Sequence, residues 1–173
     1  ASADIKKVAS GKDFLILASP SLYLARTMKG LLDVPNIADG STCIGILTKG
    51  FIPSEGSPKL ILETLEGVLP ESYKKNLVYI AGPSHAEEVA MGKVTGLVAA
   101  CENPRNSIRF REALRSKGLL VYSSFDVIGV QICAAAKNVV AVAFGCLDAI
   151  AEKSDVFGDN TESLLLAAGL NEI

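Results

Sequence analysis

The stretch Phe14–Leu32, FLILASPSLYLARTMKGLL, carries the pattern on which the fold depends. Phe14–Ala18 is a short, continuous apolar run, which is typical of a strand buried on both faces. A Ser-Pro-Ser turn at 19–21 ends this run, and the residues after it predict a helix over Leu22–Leu32. The stretch is therefore interpreted as a strand, a turn and a helix.

The same unit recurs along the chain. Strands buried on both faces that alternate with helices predict an α/β fold with a mainly parallel sheet. The further predicted strands are Ser41–Leu47, Asn76–Ala81, Val94–Ala100 and Leu119–Tyr122. The further predicted helices are Pro58–Leu69, His85–Met91, Pro104–Ser116, Asp126–Ala151 and Thr161–Ile173.

Three strand-to-helix turns are candidate binding segments, because ligands of such sheets bind beyond the carboxyl ends of the strands. They are Ser-Pro-Ser at 19–21, Thr-Lys-Gly at 48–50 and Gly-Pro-Ser at 82–84. Free backbone N–H groups near a helix start suit anions. Each turn also has a purely structural interpretation: Lys49 as a solvated surface lysine, and Ser84 as a helix N-cap in a capping box with Glu87.

The predicted helix Asp126–Ala151, DVIGVQICAAAKNVVAVAFGCLDAIA, is apolar almost all round, which predicts burial on most faces. Lys137 lies in its middle and permits three interpretations. A transmembrane span is opposed by Gln131, Asn138, Asp148 and the lysine itself, since each charge near a bilayer centre costs about 2.5–3.5 kcal/mol. The others are a core helix whose lysine snorkels or pairs, and a functional lysine at a cleft.

Composition narrows the function classes. The chain has 173 residues, 49% of them hydrophobic, a mean hydropathy of +0.35 and a net charge of −2, which predicts a packed core. There is no basic run, so nucleic acid and anionic membranes are not predicted partners. The N-terminus lacks the plan of a signal peptide. The four cysteines have no CxxC spacing and are interpreted as buried thiols of a protein in a reducing cytosol. With a single histidine in the chain, no metal site is predicted.

Taken together, several segments resemble the NAD(P)-dependent glycerol-3-phosphate dehydrogenase family. The match is specific because the motifs follow one another in the family's order. In the first half of the chain they are Phe14–Pro20, a strand that ends in a Pro-Ser turn, then Thr48-Lys49-Gly50, and then Ala81–Ala90 with its Gly-Pro-Ser. In the second half they are Asp126–Val130 leading into Ala135–Val139 with its Lys-Asn pair, then Phe157–Thr161 and Gly169–Ile173. No GxGxxG occurs, so the resemblance implies an incomplete Rossmann-like sheet over 1–125, followed by the first helices of an all-helical substrate domain over 126–173.

The resemblance implies hydride transfer between NAD or NADP and a small-molecule substrate, with interconversion of dihydroxyacetone phosphate and sn-glycerol 3-phosphate. Lys137 matches the catalytic lysine, which would donate a proton to the carbonyl oxygen and take it back in reverse. The same resemblance implies a cytoplasmic homodimer of glycerophospholipid metabolism. The implied substrate-binding residues are Lys49, Gly82, Ser84, Lys137 and Asn138, and the implied cofactor-binding residues are Tyr23, Lys49 and Ala86.

The segment before the lysine departs from the family pattern. Gln131 stands where glutamate is usual and removes a charge that could tune the lysine, while Cys133 and Ala134 replace glycines. These departures and the missing glycine-rich loop favour an alternative: an inactive, truncated relic that binds a phosphate metabolite or a partner chain. A 6-phosphogluconate-type dehydrogenase is a further alternative. The isolated 173-residue chain is expected to be a poor enzyme that oligomerises or has low stability.

Overall fold

The computed structural model describes residues 1–154 and 156–173. Within them a five-stranded sheet is packed with eight α-helices, and a 3-10 turn lies at Glu71–Tyr73. The strands are β1 Phe14–Leu17, β2 Cys43–Ile46, β3 Val78–Ala81, β4 Thr95–Ala100 and β5 Leu119–Ser124. The helices are α1 Ile5–Ala9, α2 Ser21–Lys29, α3 Pro35–Ala38, α4 Ile61–Glu66, α5 Ala86–Ala90, α6 Pro104–Leu114, α7 Val127–Ala151 and α8 Asp159–Glu172.

The sheet has the order β1-β2-β3-β4-β5. The pairs β1–β2, β2–β3 and β4–β5 are parallel, and β3–β4 is antiparallel. The prediction of an α/β fold with a mainly parallel sheet is thus confirmed. The alternation of strands and helices does not predict the reversal at β4. It arises because the link from β3 to β4 contains only the five-residue helix α5, which returns the chain at the same edge instead of crossing the sheet.

Both faces of the sheet are covered, as continuous apolar strands require. Along β3 the side chains alternate between two clusters: Val78 and Ile80 pack with Phe110 of α6, whereas Tyr79 packs with Leu65 of α4. The Phe110 ring meets the Phe14 ring edge-on, with centroids 5.2 Å apart. These contacts hold β1–β3 as a rigid base for the three turns that follow them.

The long helix α7 is much less buried than its composition predicts. Its buried residues, among those the structure describes, are Val127 and Gln131 near its start, and large apolar side chains such as Val139 and Val142 are exposed. The helix α7 is long and apolar enough to cross a membrane, but core helices of soluble proteins have the same length and hydropathy. These properties therefore do not show a transmembrane segment. The prediction of burial on most faces is wrong for this chain because only the first turns of α7 meet the sheet and α4.

The prediction of four buried thiols is correct for two. Cys43 and Cys101 are buried, and burial raises the pKa of each thiol to about 11. Cys133 and Cys146 lie on α7 and are exposed. The difference has the same cause as the exposure of α7, because sequence hydrophobicity does not specify which part of a helix is covered.

Tyr79 presents a testable feature of the core. The side chain is fully buried and, among the described residues, its hydroxyl has no hydrogen-bond partner, while burial raises its pKa to about 12. An unpaired buried hydroxyl costs about 1–3 kcal/mol, so Tyr79→Phe is expected to raise the free energy of unfolding by about 1 kcal/mol. Urea denaturation of the full-length protein measures it.

Tyr73→Phe is the matched control, because the Tyr73 hydroxyl donates to the Asn36 carbonyl oxygen at 3.5 Å. Its removal is expected to lower the free energy of unfolding by about 0.5 kcal/mol. A destabilised Tyr79→Phe protein would show that the hydroxyl has a partner in solution.

Candidate active site

Three strand-to-helix turns meet at one edge of the sheet, because β1, β2 and β3 are parallel and end there together. The Thr48 hydroxyl donates to the Ser19 carbonyl oxygen at 2.6 Å and ties the first turn to the second. The third turn contains Gly82, whose φ of +155° suits glycine. A Cβ added there would collide with the Gly96 carbonyl oxygen of β4. Glycine therefore lets β3 turn out of the sheet close beside β4.

A cleft of about 1000 Å³ opens between this edge and α7. It brings together Lys49, Gly82, Ser84, Ala86 and Lys137, five of the residues that the sequence singles out. The remaining lining residues are Ala81, Pro83, His85, Glu87, Glu88, Val98, Asp126, Gly129, Val130, Cys133 and Ala134. The walls are therefore mostly small or apolar, with a few charged groups, which is the usual composition of a small-molecule site.

Two predicted site residues lie outside the lining of this cleft. Tyr23 is on α2 and is 55% exposed. Asn138 follows Lys137 on α7, and its Oδ1 accepts a hydrogen bond from the Lys137 Nζ at 2.7 Å. Asn138 therefore reaches the cleft only through the lysine that it holds. The roles of all seven residues stay predictions.

The acidic residues of the cleft already have partners. Glu87 pairs with the His85 Nδ1 at 2.7 Å, and Glu88 pairs with Lys93 at 2.9 Å. The carboxylate of Asp126 accepts from the Gly129 N–H at 2.8 Å and caps the start of α7. Within residues 1–154 and 156–173, Lys49 and Lys137 form no ion pair. The cationic groups left to an anionic ligand are these two lysines.

The structure locates Lys137 and corrects one expectation about Ser84. Lys137 is exposed and lies on the cleft wall, as the interpretation of a lysine at a cleft requires, while its role stays a prediction. Ser84 does not cap α5: the cap position is His85, with no side-chain hydrogen bond, because the helix starts only at Ala86. The capping-box interpretation of Ser84 with Glu87 is therefore wrong, and Ser84 is one of the residues lining the cleft.

Gln131 has a contact that sequence reasoning missed. Its Oε1 accepts from the Leu62 backbone N–H at 3.0 Å, and its Nε2 donates to the Val127 carbonyl oxygen at 3.1 Å. The side chain thus faces α4 rather than Lys137, so the missing charge at this position does not act on the lysine by direct contact. The only sequence signal was a polar residue on the otherwise apolar start of the helix.

The fold and the cleft define a class of protein, a Rossmann-type α/β sheet that leads into long helices. Comparison with known proteins then identifies the family. Residues 1–107 match the model of the NAD-dependent glycerol-3-phosphate dehydrogenase N-terminus, and residues 126–173 match that of its C-terminus. The chain belongs to the NAD-dependent glycerol-3-phosphate dehydrogenase family, which confirms the resemblance of its motifs.

Individual relatives agree with this assignment. The glycerol-3-phosphate dehydrogenase [NAD(P)+] of Treponema denticola is 62% identical over all of this chain, which covers 50% of that protein. The solved structure of the Coxiella burnetii glycerol-3-phosphate dehydrogenase is 28% identical, with a TM-score of 0.78 over 99% of this chain and 48% of its own. A Plasmodium falciparum glycerol-3-phosphate dehydrogenase has the same fold, with a TM-score of 0.81 at 22% identity over 99% of this chain and 45% of its own. The chain spans about half the length of the curated relatives it matches.

Proposed function

We propose that the full-length protein containing this chain interconverts dihydroxyacetone phosphate and sn-glycerol 3-phosphate with NAD or NADP. The observation that carries the proposal is the convergence of Lys49 and Lys137, both without an ion pair among the described residues, on a cleft also lined by the turn at 82–84. A dianionic phosphate ester with a reducible carbonyl needs cations for its charge and one proton donor at its oxygen. The cleft offers both.

In this proposal the residues of the chain bind and orient the substrate, and one of them moves a proton. Lys137 donates a proton to the carbonyl oxygen during reduction and takes it back during oxidation, while its hydrogen bond to Asn138 fixes the direction of the ammonium group. Lys49, from the neighbouring turn, attracts the negative charge of the substrate. Gly82 and Ser84 shape the wall on which the substrate rests.

The residues present fit a nicotinamide cofactor. Ala86 lines the cleft next to the 82–84 turn, and Lys49 lines it from the turn after β2, so these two residues would hold the cofactor there. Tyr23, exposed on the helix after the first turn, would flank it. When bound, the nicotinamide exchanges a hydride with the carbonyl carbon.

A spectrophotometric assay of the full-length protein tests the proposal. We expect oxidation of NADH or NADPH to depend on dihydroxyacetone phosphate, and unphosphorylated dihydroxyacetone at equal concentration to react at least about a hundredfold more slowly, because it lacks the charge that the lysines meet. Equal rates with the two ketones would contradict the role of the lysines. No nucleotide oxidation with either would refute the proposed activity.

We further propose a cytoplasmic homodimer with a domain boundary near 125 and 126. Four free thiols support the reducing compartment. The homodimer is what the family resemblance implies, and exposed apolar side chains on α7 and α8, such as Val142 and Leu164, leave surface for a second copy or for the rest of the full-length protein. Sedimentation of the full-length protein measures its oligomeric state, and a monomer at micromolar concentration would contradict the dimer.

A further inference from the structure

We infer that Gln131 is a positioning residue: its buried carboxamide ties α7 to the first turn of α4 and so fixes where Lys137 stands in the cleft. Gln131 is only 3% exposed, and both polar atoms of its side chain are hydrogen-bonded. The inference rests on the proposed function, since it concerns the placement of the proton donor. It assigns a task to a residue outside the cleft lining.

The contact satisfies a backbone donor that α4 cannot satisfy itself. Leu62 is the second residue of α4, and the first N–H groups of a helix have no partner within it. The cap residue Leu60 has no side chain able to accept, and no side-chain cap bond is formed there. Gln131 supplies the acceptor from 69 positions further along the chain. This hydrogen bond therefore joins the start of α4 to the start of α7, next to the apolar cluster that contains Leu62 and Val127.

A carboxamide is suited to this double contact. Its oxygen accepts from Leu62, and its nitrogen donates to the Val127 carbonyl oxygen one turn back on α7. The second bond fixes the rotamer, so the oxygen points at α4 and not along the helix. An apolar side chain of similar volume would fill the space but leave the Leu62 N–H without a partner.

The position of Gln131 explains its influence on Lys137. Val127 and Gln131 are the buried residues of α7 among those described, and they lie one turn apart on one side of the helix. Two fixed points set the rotation of a helix about its axis. Lys137 follows six positions later, about 9 Å along that axis at 1.5 Å per residue. Together with α8, which packs against the later part of α7, the fixed start sets the direction of the lysine.

The same contact joins the two sides of the cleft. The connection from β2 carries Lys49 and then runs into α4, whereas α7 carries Lys137. Gln131 binds the first turn of α4 and therefore links the segment that bears one lysine to the helix that bears the other. A displacement of about 1 Å between reacting groups costs about a hundredfold in rate, so a lost link is expected to reduce turnover.

The test compares two variants of the full-length protein. Gln131→Met retains the volume and removes both hydrogen bonds, whereas Gln131→Glu retains the acceptor for Leu62 and loses the donor to the Val127 carbonyl oxygen, so it isolates the Leu62 contact. We expect Gln131→Met to lower kcat about tenfold to a hundredfold while nucleotide affinity stays within about twofold. We expect Gln131→Glu to retain kcat within about threefold, because the Leu62 contact survives. Val121→Ala, a core truncation in β5 away from α7, controls for general destabilisation and should spare kcat.

Hydrogen exchange supplies a readout that does not depend on turnover. The Leu62 amide is expected to exchange at least about tenfold faster in Gln131→Met than in the wild type, and to stay protected in Gln131→Glu. Unchanged protection of Leu62 in Gln131→Met would overturn the tether even if no variant were active. Unchanged kcat in Gln131→Met, or an equal loss in Val121→Ala, would overturn the positioning role. A wild-type protein without turnover would refute the proposed function, and Leu62 exchange would then decide the tether alone.

Discussion

Lys137→Ala in the full-length protein is expected to lower kcat by about 10²–10⁴-fold, the range that a positioned acid–base group contributes. The reason lies in the cleft: on α7, Lys137 is the one lysine among the residues that line the cavity. Its Nζ is fixed by Asn138 at 2.7 Å, so its removal leaves the carbonyl oxygen without that donor. Nucleotide affinity should change little, because the lysine acts on the substrate. Steady-state kinetics and fluorescence titration of the nucleotide measure the two effects.

Two further variants separate charge from proton transfer. Lys137→Arg retains the positive charge, but a guanidinium stays protonated and does not release a proton at neutral pH. It should therefore retain much of the substrate affinity and lose most of the turnover. Lys12→Ala removes an exposed lysine before β1, at the opposite edge of the sheet, and should behave as the wild type. Turnover of Lys137→Ala within about threefold of the wild type would contradict the assigned role, since acid–base groups contribute more than that.

The sequence predicts the side of the cleft formed by β1–β3 and their turns better than the side formed by α7. Short apolar runs of four to six residues are strands here, as expected for a sheet covered on both faces. Because β1–β3 are parallel, their turns had to meet at one edge, and Lys49 and Ser84 converge there. These predictions depend on local patterns and on a topological rule, which is why they succeed without contact information.

The features that sequence reasoning missed depend on contacts between distant segments. The Gln131–Leu62 hydrogen bond joins residues 69 positions apart, and no local pattern specifies such a pair. The exposure of α7 has a related cause: hydrophobicity shows that a face is suited to burial but not which segment covers it. The prediction that Ser84 caps α5 was wrong for a local reason. The five-residue helix begins at Ala86 rather than at His85, so His85 occupies the cap position.

Gly82→Ala is expected to lower the free energy of unfolding of the full-length protein by about 2–5 kcal/mol, the sum of backbone strain and overpacking. The φ of Gly82 is +155°, which side chains rarely adopt, and an added Cβ would collide with the Gly96 carbonyl oxygen and come within 3.0 Å of the Leu97 Cα. Both neighbours are backbone atoms of β4, so neither can rotate away. The turn must therefore move, and Ser84 moves with it out of the cleft wall.

Two matched glycines separate the causes of this loss. Gly50→Ala places a Cβ in open space at a φ of +103°, so it adds strain without collision. Gly96→Ala, on the strand opposite, meets no atom within 4 Å and has no strained φ, so it should be nearly neutral. We expect the losses in urea denaturation to rise in the order Gly96→Ala, Gly50→Ala, Gly82→Ala, with kcat/KM for the phosphorylated ketone falling at least about tenfold for the last variant. A Gly82→Ala protein no less stable than Gly50→Ala would mean that β3 and β4 are not in close contact at this turn, and the wall of the cleft would then have to be formed differently.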